Sequence, residues 1–224
     1  VIRQSRQMRI GDIANTASGG DVKIGEGARQ VGGPDVDIVA RNPKTGPASI
    51  QGPEDGLEAL AGMLEGVAKG RDDGFGAIIL ACFDDTGLAE ARRLSGVPTI
   101  GIGEAAFHVA MLLGAKFSVV TTLAISVPVI EENLRDYGLE SACLKVRASE
   151  VEVLDLEIDG SSARDKISNE MACSLREEQP GALVLGCAGM ADLASQLSQT
   201  HNVPVIDGVA SAVGLASGLV RLGR

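Results

Sequence analysis

Short, almost unbroken apolar runs alternate along the chain with longer stretches whose apolar positions recur every three or four residues. The runs predict strands near 9–13, 36–41, 76–82 and 97–102, and again near 117–122, 143–148, 181–187 and 203–207. The periodic stretches predict helices over about 19–31, 54–70, 84–95 and 104–113, then 126–137, 161–178, 189–200 and 209–222. Runs such as AIIL and ALVL carry no polar alternation, as expected of strands covered on both faces. Strand and helix in strict alternation imply parallel sheets with right-handed crossovers. The segment NPKTGPASIQGP (42–53) is too rich in Pro and Gly for regular structure and reads as a loop walling a crevice.

The pattern occurs twice. Cys187 follows Cys82 by 105 residues, VPVID at Val203 follows VPTIG at Val97 by 106, and LKV at Leu144 follows IVA at Ile38 by 106. FSVVT (117–121) trails RIGDI (9–13) by a similar interval. Four landmarks in register describe a duplicated, domain-sized unit and not a short solenoid period. The fold class is therefore α/β, with two pseudo-symmetric Rossmann-like lobes, each a four-stranded parallel sheet flanked by helices, and the active site between them.

Cys82 and Cys187 end GAIILAC and GALVLGC, one strand in each half. Ligands of open parallel sheets bind beyond the carboxyl ends of the strands, so the duplication aims two thiols at one small molecule. A lone cysteine in such a place is ordinarily a small core hydrophobe; equivalence under the repeat favours chemistry. Racemising a carbon acid needs a base on one face and an acid on the other, and a thiolate and a thiol can fill both roles if helix N-termini lower the sulfur pKa. Helices beginning near Asp84 and Gly189 would supply those N-termini and stabilise an enolate-like oxygen. Asp84 and Asp85 read equally well as first-turn acids of the next helix or as substrate contacts. Cys143 and Cys173 lack the symmetry and read as core or inert thiols. GIGEAAF (101–107) lacks the third glycine of a dinucleotide loop. His108 reads as a packed helical histidine, and two histidines are too few for a histidine metal site.

Thirty acidic against twenty basic residues give a net charge of −10, without a basic stripe, which opposes nucleic acid and anionic membranes as partners. Aromatic residues make up only 2% and Trp is absent, so no stacking platform is expected. No apolar run approaches the roughly 20 residues of a membrane span, and residues 1–7 have no signal-peptide core, so a cytoplasmic protein is expected. Residues ahead of Met8 read as a tag remnant or an alternative start. The four cysteines form no C-x-x-C pair and read as reduced thiols, with neither zinc nor disulfides.

GPASIQG (46–52), IILACFDDTGL (78–88), GIGEAAFHVAMLLGAKFSVVTT (101–122), LVLGCAGMADL (183–193) and VPVIDGV (203–209) resemble the aspartate/glutamate/hydantoin racemase superfamily, and within it the hydantoin and allantoin racemases. The resemblance implies a cofactor-independent racemase of 5-monosubstituted hydantoins, with Cys82 and Cys187 as the catalytic pair acting at ring carbon C5. It implies substrate contacts from Asn15, Ser49, Ile50, Phe83, Asp84, Thr121, Thr122, Ala188 and Gly189. It also implies no metal or cofactor, a small-molecule substrate as partner, a homo-oligomer, and lobes formed by 1–103 plus 209–224 and by 104–208. Amino-acid racemases of the superfamily follow the first cysteine with Asn-Thr and the second with Thr. Phe83-Asp84-Asp85 and Ala188-Gly189-Met190 depart from that and favour a cyclic ureide. At the amino terminus, Ile13-Ala14-Asn15-Thr16 lacks the proline of the family's Ile-Asn-Pro-Asn-Thr. Open alternatives are allantoin racemase, an amino-acid racemase, a decarboxylase or maleate isomerase of the superfamily, and a two-lobed binding protein without chemistry.

Overall fold

The structure, a computed structural model, describes residues 8–13, 29–113, 116–158 and 160–223. In chain order the first half contains β1 (Met8–Ile13), β2 (Val36–Arg41), α1 (Pro53–Asp72), β3 (Ala77–Leu80), α2 (Leu88–Ser95), β4 (Thr99–Gly101) and α3 (Ile102–Leu112). The second contains β5 (Phe117–Thr121), α4 (Val127–Asp136), β6 (Cys143–Ala148), α5 (Ala163–Glu177), β7 (Ala182–Leu185), α6 (Ala194–His201), β8 (Val205–Ile206) and α7 (Gly208–Arg221). Strand positions follow the apolar runs closely. The predicted helix over 19–31 lies mostly outside the described residues, with 29–32 helical. The helix expected over 84–95 begins at Leu88 and not near Asp84, because Cys82–Gly87 is occupied by turns. Ala188–Leu193 form a 3₁₀ stretch before α6.

The strands form two parallel four-stranded sheets, ordered β2-β1-β3-β4 and β6-β5-β7-β8. β3, β5 and β7 are buried along their whole length, which is why their sequences need no polar alternation. Equivalent backbone bonds recur across the halves: Ala81 donates to the Ile13 carbonyl at 3.0 Å, and Gly186 to that of Val120 at 2.8 Å. These place the residues just before the two thiols in matching surroundings.

A single hydrophobic cluster runs through both halves, joining Ile79 and Ile10 of the first sheet to Val184 and Val119 of the second by way of Phe107 on α3 and Val213 on α7. The two helices that end the halves are central to it. α7 lies on β1, β3 and β4 of the first sheet, α3 reaches β7 and β8 of the second, and the two pack on each other. Their first residues, Ile102 and Gly208, are equivalent under the 106-residue offset and touch: a Cβ at 208 would lie 2.6 Å from the Ile102 carbonyl oxygen. The pseudo-twofold therefore passes near this contact, and only glycine lets the helices approach so closely. Gly208→Ala should destabilise the fold by about 1–3 kcal/mol, the range for forced overpacking, measured as a lowered urea midpoint with an unchanged slope.

Candidate active site

Cys82 and Cys187 stand two residues beyond the C-terminal ends of β3 and β7. Both are free thiols, Cys82 buried and Cys187 half-buried. Each sulfur accepts a backbone N–H from the residue two positions on, Asp84 for Cys82 and Gly189 for Cys187. A charge on Cys187 bears on Cys82, and the Asp84 carboxylate bears on both. One small site thus brings together two thiols and one carboxylate.

Electrostatics at the two sulfurs run against the thiolate expected from helix N-termini. Burial pushes the Cys82 thiol well above its ordinary value, with Asp84 adding to the effect. Burial pushes Cys187 up to about 11. The N–H that each sulfur accepts works in the opposite direction but is outweighed by desolvation. For Cys82 the reason is geometric, since turns and not a helix end lie beside it. Both thiols therefore favour the neutral form.

The turn after Cys82 is fixed by Asp85, whose backbone is left-handed at φ 50°. Its carboxylate accepts N–H groups from Gly103 at 3.1 Å and Glu104 at 2.7 Å, and the Tyr137 hydroxyl at 2.9 Å. Asp85 thus caps α3 and not the helix that directly follows it. A Cβ at Gly101 would lie 2.1 Å from Asp85 Oδ1, and one at Gly103 2.4 Å from the Phe83 carbonyl. The G-x-G of GIGEAAF admits a carboxylate, which explains it without a phosphate. Sequence reasoning missed Tyr137 and Asn133, which reach this turn from α4 and the residue after it; Asn133 Nδ2 donates to the Asp84 carbonyl at 2.8 Å.

The other expected site residues divide. The Phe83 ring faces the core, edge-on to Phe107 with centroids 5.5 Å apart. The substrate contact expected of Phe83 thus falls on a residue whose ring packs in the core. The Thr121 hydroxyl donates to the Gly186 carbonyl at 2.9 Å, and Ser149 Oγ to that of Thr121 at 2.9 Å. Thr121 therefore braces the Cys187 strand end and its hydroxyl proton is already committed. Thr122 is buried beside it. Ala188 and Gly189 open the 3₁₀ stretch that follows Cys187. Ser49 is buried and Ile50 half-buried in the loop before α1. That loop meets the second half where a Cβ at Gly52 would lie 3.2 Å from Ile125 Cδ1. Asn15 lies outside the described residues. Cys143 is half-buried, with its thiol pushed up to about 12 by burial, and Cys173 is half-buried beside Arg176. Among the described residues, no group of three or more His, Cys, Asp and Glu is gathered as a metal would need, and no helix is long and apolar enough to cross a membrane.

Comparison with known proteins decides the family. Residues 22–216 match the Asp/Glu/Hydantoin racemase family. The chain belongs to that family. A hydantoin racemase of Rhizobium meliloti is 45% identical over 186 residues, 83% of this chain and 77% of that protein. One from Pseudomonas sp. (strain NS671) is 37% identical over 201 residues, 90% of this chain and 81% of that protein. Among solved structures, the allantoin racemase from Klebsiella pneumoniae superposes with a TM-score of 0.92 at 42% identity, covering 96% of this chain and 89% of that one. As a member of the racemase family the chain is an isomerase, and the binding-protein alternative falls away.

Asp84 is a costly residue to keep. Burial alone raises its carboxyl to about 6, so the folded protein holds that proton more tightly than the unfolded chain does. Its contribution to stability is therefore lost as pH rises from 3.8 through about 6. Asp84→Asn should be more stable than the parent at pH 8 by up to about 3 kcal/mol, with the advantage shrinking as pH falls and gone below about pH 4. Urea unfolding of both proteins across this range checks it.

Proposed function

We propose that the protein racemises 5-monosubstituted hydantoins without a cofactor, by proton transfer at C5 between Cys82 and Cys187. One observation carries this reading: two free thiols at equivalent strand ends, 105 residues apart, each accepting a backbone N–H and close enough for one to feel the other's charge. One sulfur, as thiolate, takes the C5 proton from its face of the ring. The electron pair delocalises into the adjacent ring carbonyl, giving an enolate-like oxygen. The other sulfur, as thiol, delivers its proton to the opposite face, leaving the pair with exchanged roles. Neutral thiols favoured by burial suit the donor, and a bound ring that excludes water strengthens the N–H contacts on the acceptor.

The family resemblance supports Asn15, Ser49, Ile50, Phe83, Asp84, Thr121, Thr122, Ala188 and Gly189 as substrate-contact candidates, although the Phe83 ring packs on Phe107 and the Thr121 hydroxyl donates to the Gly186 carbonyl. In this reading the lobes are 1–103 plus 209–224 and 104–208, and the crevice between them is the site. The acidic composition and free thiols support a cytoplasmic protein acting on a small molecule, apart from nucleic acid and membranes, and the family resemblance supports a homo-oligomer. Allantoin is a 5-ureidohydantoin, so the likeness to the Klebsiella allantoin racemase favours it as the second substrate reading.

Cys82→Ala and Cys187→Ala should each cut interconversion of a 5-substituted hydantoin, followed by optical rotation, by at least about a thousandfold. Each variant should still exchange the C5 proton of one enantiomer with deuterated solvent. Racemisation at the parent rate by either variant would sink the two-thiol mechanism.

A further inference from the structure

Asp84 is 8% exposed, yet its carboxylate takes no hydrogen bond from any described residue. Its backbone, by contrast, is held at both ends, by the Cys82 sulfur on its N–H and by Asn133 on its carbonyl. The neighbouring Asp85 carboxylate has three donors. Among the described residues no cation offsets Asp84, and burial raises its pKa. A nearly buried carboxylate without a donor is expensive, and it stands where it bears on both thiols.

The second half has no equivalent. Under the 105-residue offset Asp84 corresponds to Gly189, where a Cβ would lie 3.0 Å from Leu156 Cδ1 and 3.8 Å from Cys187 Sγ. The two thiols repeat, and the carboxylate does not. Removing the C5 proton of a hydantoin requires its C–H bond to stand across the ring plane, toward one sulfur or the other. The ring N–H groups point outward within that plane, and both enantiomers present them alike.

We propose that the Asp84 carboxylate accepts one ring N–H of the substrate, fixing the ring in one orientation for both enantiomers and selecting neutral ureides over amino-acid anions. This rests on the racemase reading above. A ligand N–H gives this acceptor a partner in place of water, and a free carboxylate in the same place meets like charge. Asp84 is then a specificity-determining residue, separate from the proton-transferring pair.

The test uses 5,5-dimethylhydantoin, which has no C5 hydrogen, together with its 1-methyl and 3-methyl derivatives. Binding is measured by calorimetry to the parent protein, Asp84→Ala and Asp84→Asn. The parent should bind one of the two N-methyl derivatives at least tenfold more weakly than the unmethylated ring, and Asp84→Ala should lose that discrimination. With racemisable 5-substituted hydantoins, Asp84→Ala should raise KM by tenfold or more while kcat falls less. Equal binding of all three rings by the parent overturns the proposal. So does equal weakening of all three in Asp84→Ala, or a loss confined to kcat. Should Asp84→Ala not fold, Asp84→Asn and the parent's own preference among the three rings decide the matter. Unimpaired racemisation by Asp84→Ala would overturn the acceptor role and leave the racemase standing. Discrimination that vanishes in Asp84→Ala, with no racemisation by the parent, would do the reverse.

Discussion

The buried Asp85 carboxylate fixes the geometry on which the site depends. It ties three pieces of chain together: the turn carrying Cys82, the start of α3, and Tyr137 at the end of α4. Its burial pushes its own pKa up to about 7 against the pull of those three donors. Gly101 and Gly103 are the steric condition for it, because a side chain at either would occupy the space of the carboxylate or of the Phe83 carbonyl. With Asp85 in place, the Asp84 backbone is turned so that its N–H meets the Cys82 sulfur. The position of the first thiol is thus set by a residue outside the proposed proton-transferring pair.

The second half solves the same problem with different residues. Asp207, equivalent to Gly101, caps α7 from its own strand end through Val209 and Ala210, both at 2.9 Å. The position equivalent to Asp85 is Met190, fully buried. Each helix that crosses the shared core therefore has an aspartate cap, donated by the thiol turn in one half and by the last strand in the other. The exchange preserves the two helices and the two thiols while making their surroundings unequal. In the proposed reaction a substrate without twofold symmetry would meet matching sulfurs and unmatched walls.

The apolar runs made the eight strand positions legible, because parallel strands buried on both faces cannot carry polar alternation. The 105-to-106-residue offset made the equivalence of Cys82 and Cys187 legible as well. Contacts that depend on distant residues were not. Nothing local distinguishes Asp85 as the cap of a helix starting at Ile102, and a capping rule pointed to the helix directly after it. That the Phe83 ring packs on Phe107 was not legible either, because Phe107 is 24 residues on in sequence. The thiol pKa was misjudged for a related reason. Helix ends can be inferred from sequence, whereas the desolvation that outweighs them depends on how completely the site is enclosed.

The central claim is that two thiols of equivalent position act on opposite faces of one carbon. Following a single enantiomer of a 5-substituted hydantoin in deuterated water tests it most directly, by measuring C5 deuterium in product and in recovered substrate during early turnover. Two bases require the product to carry solvent deuterium from the first turnovers while the recovered substrate stays protiated. Equal labelling of the two pools from the outset, or product retaining the substrate's own proton, would show that one base serves both faces and would contradict the account.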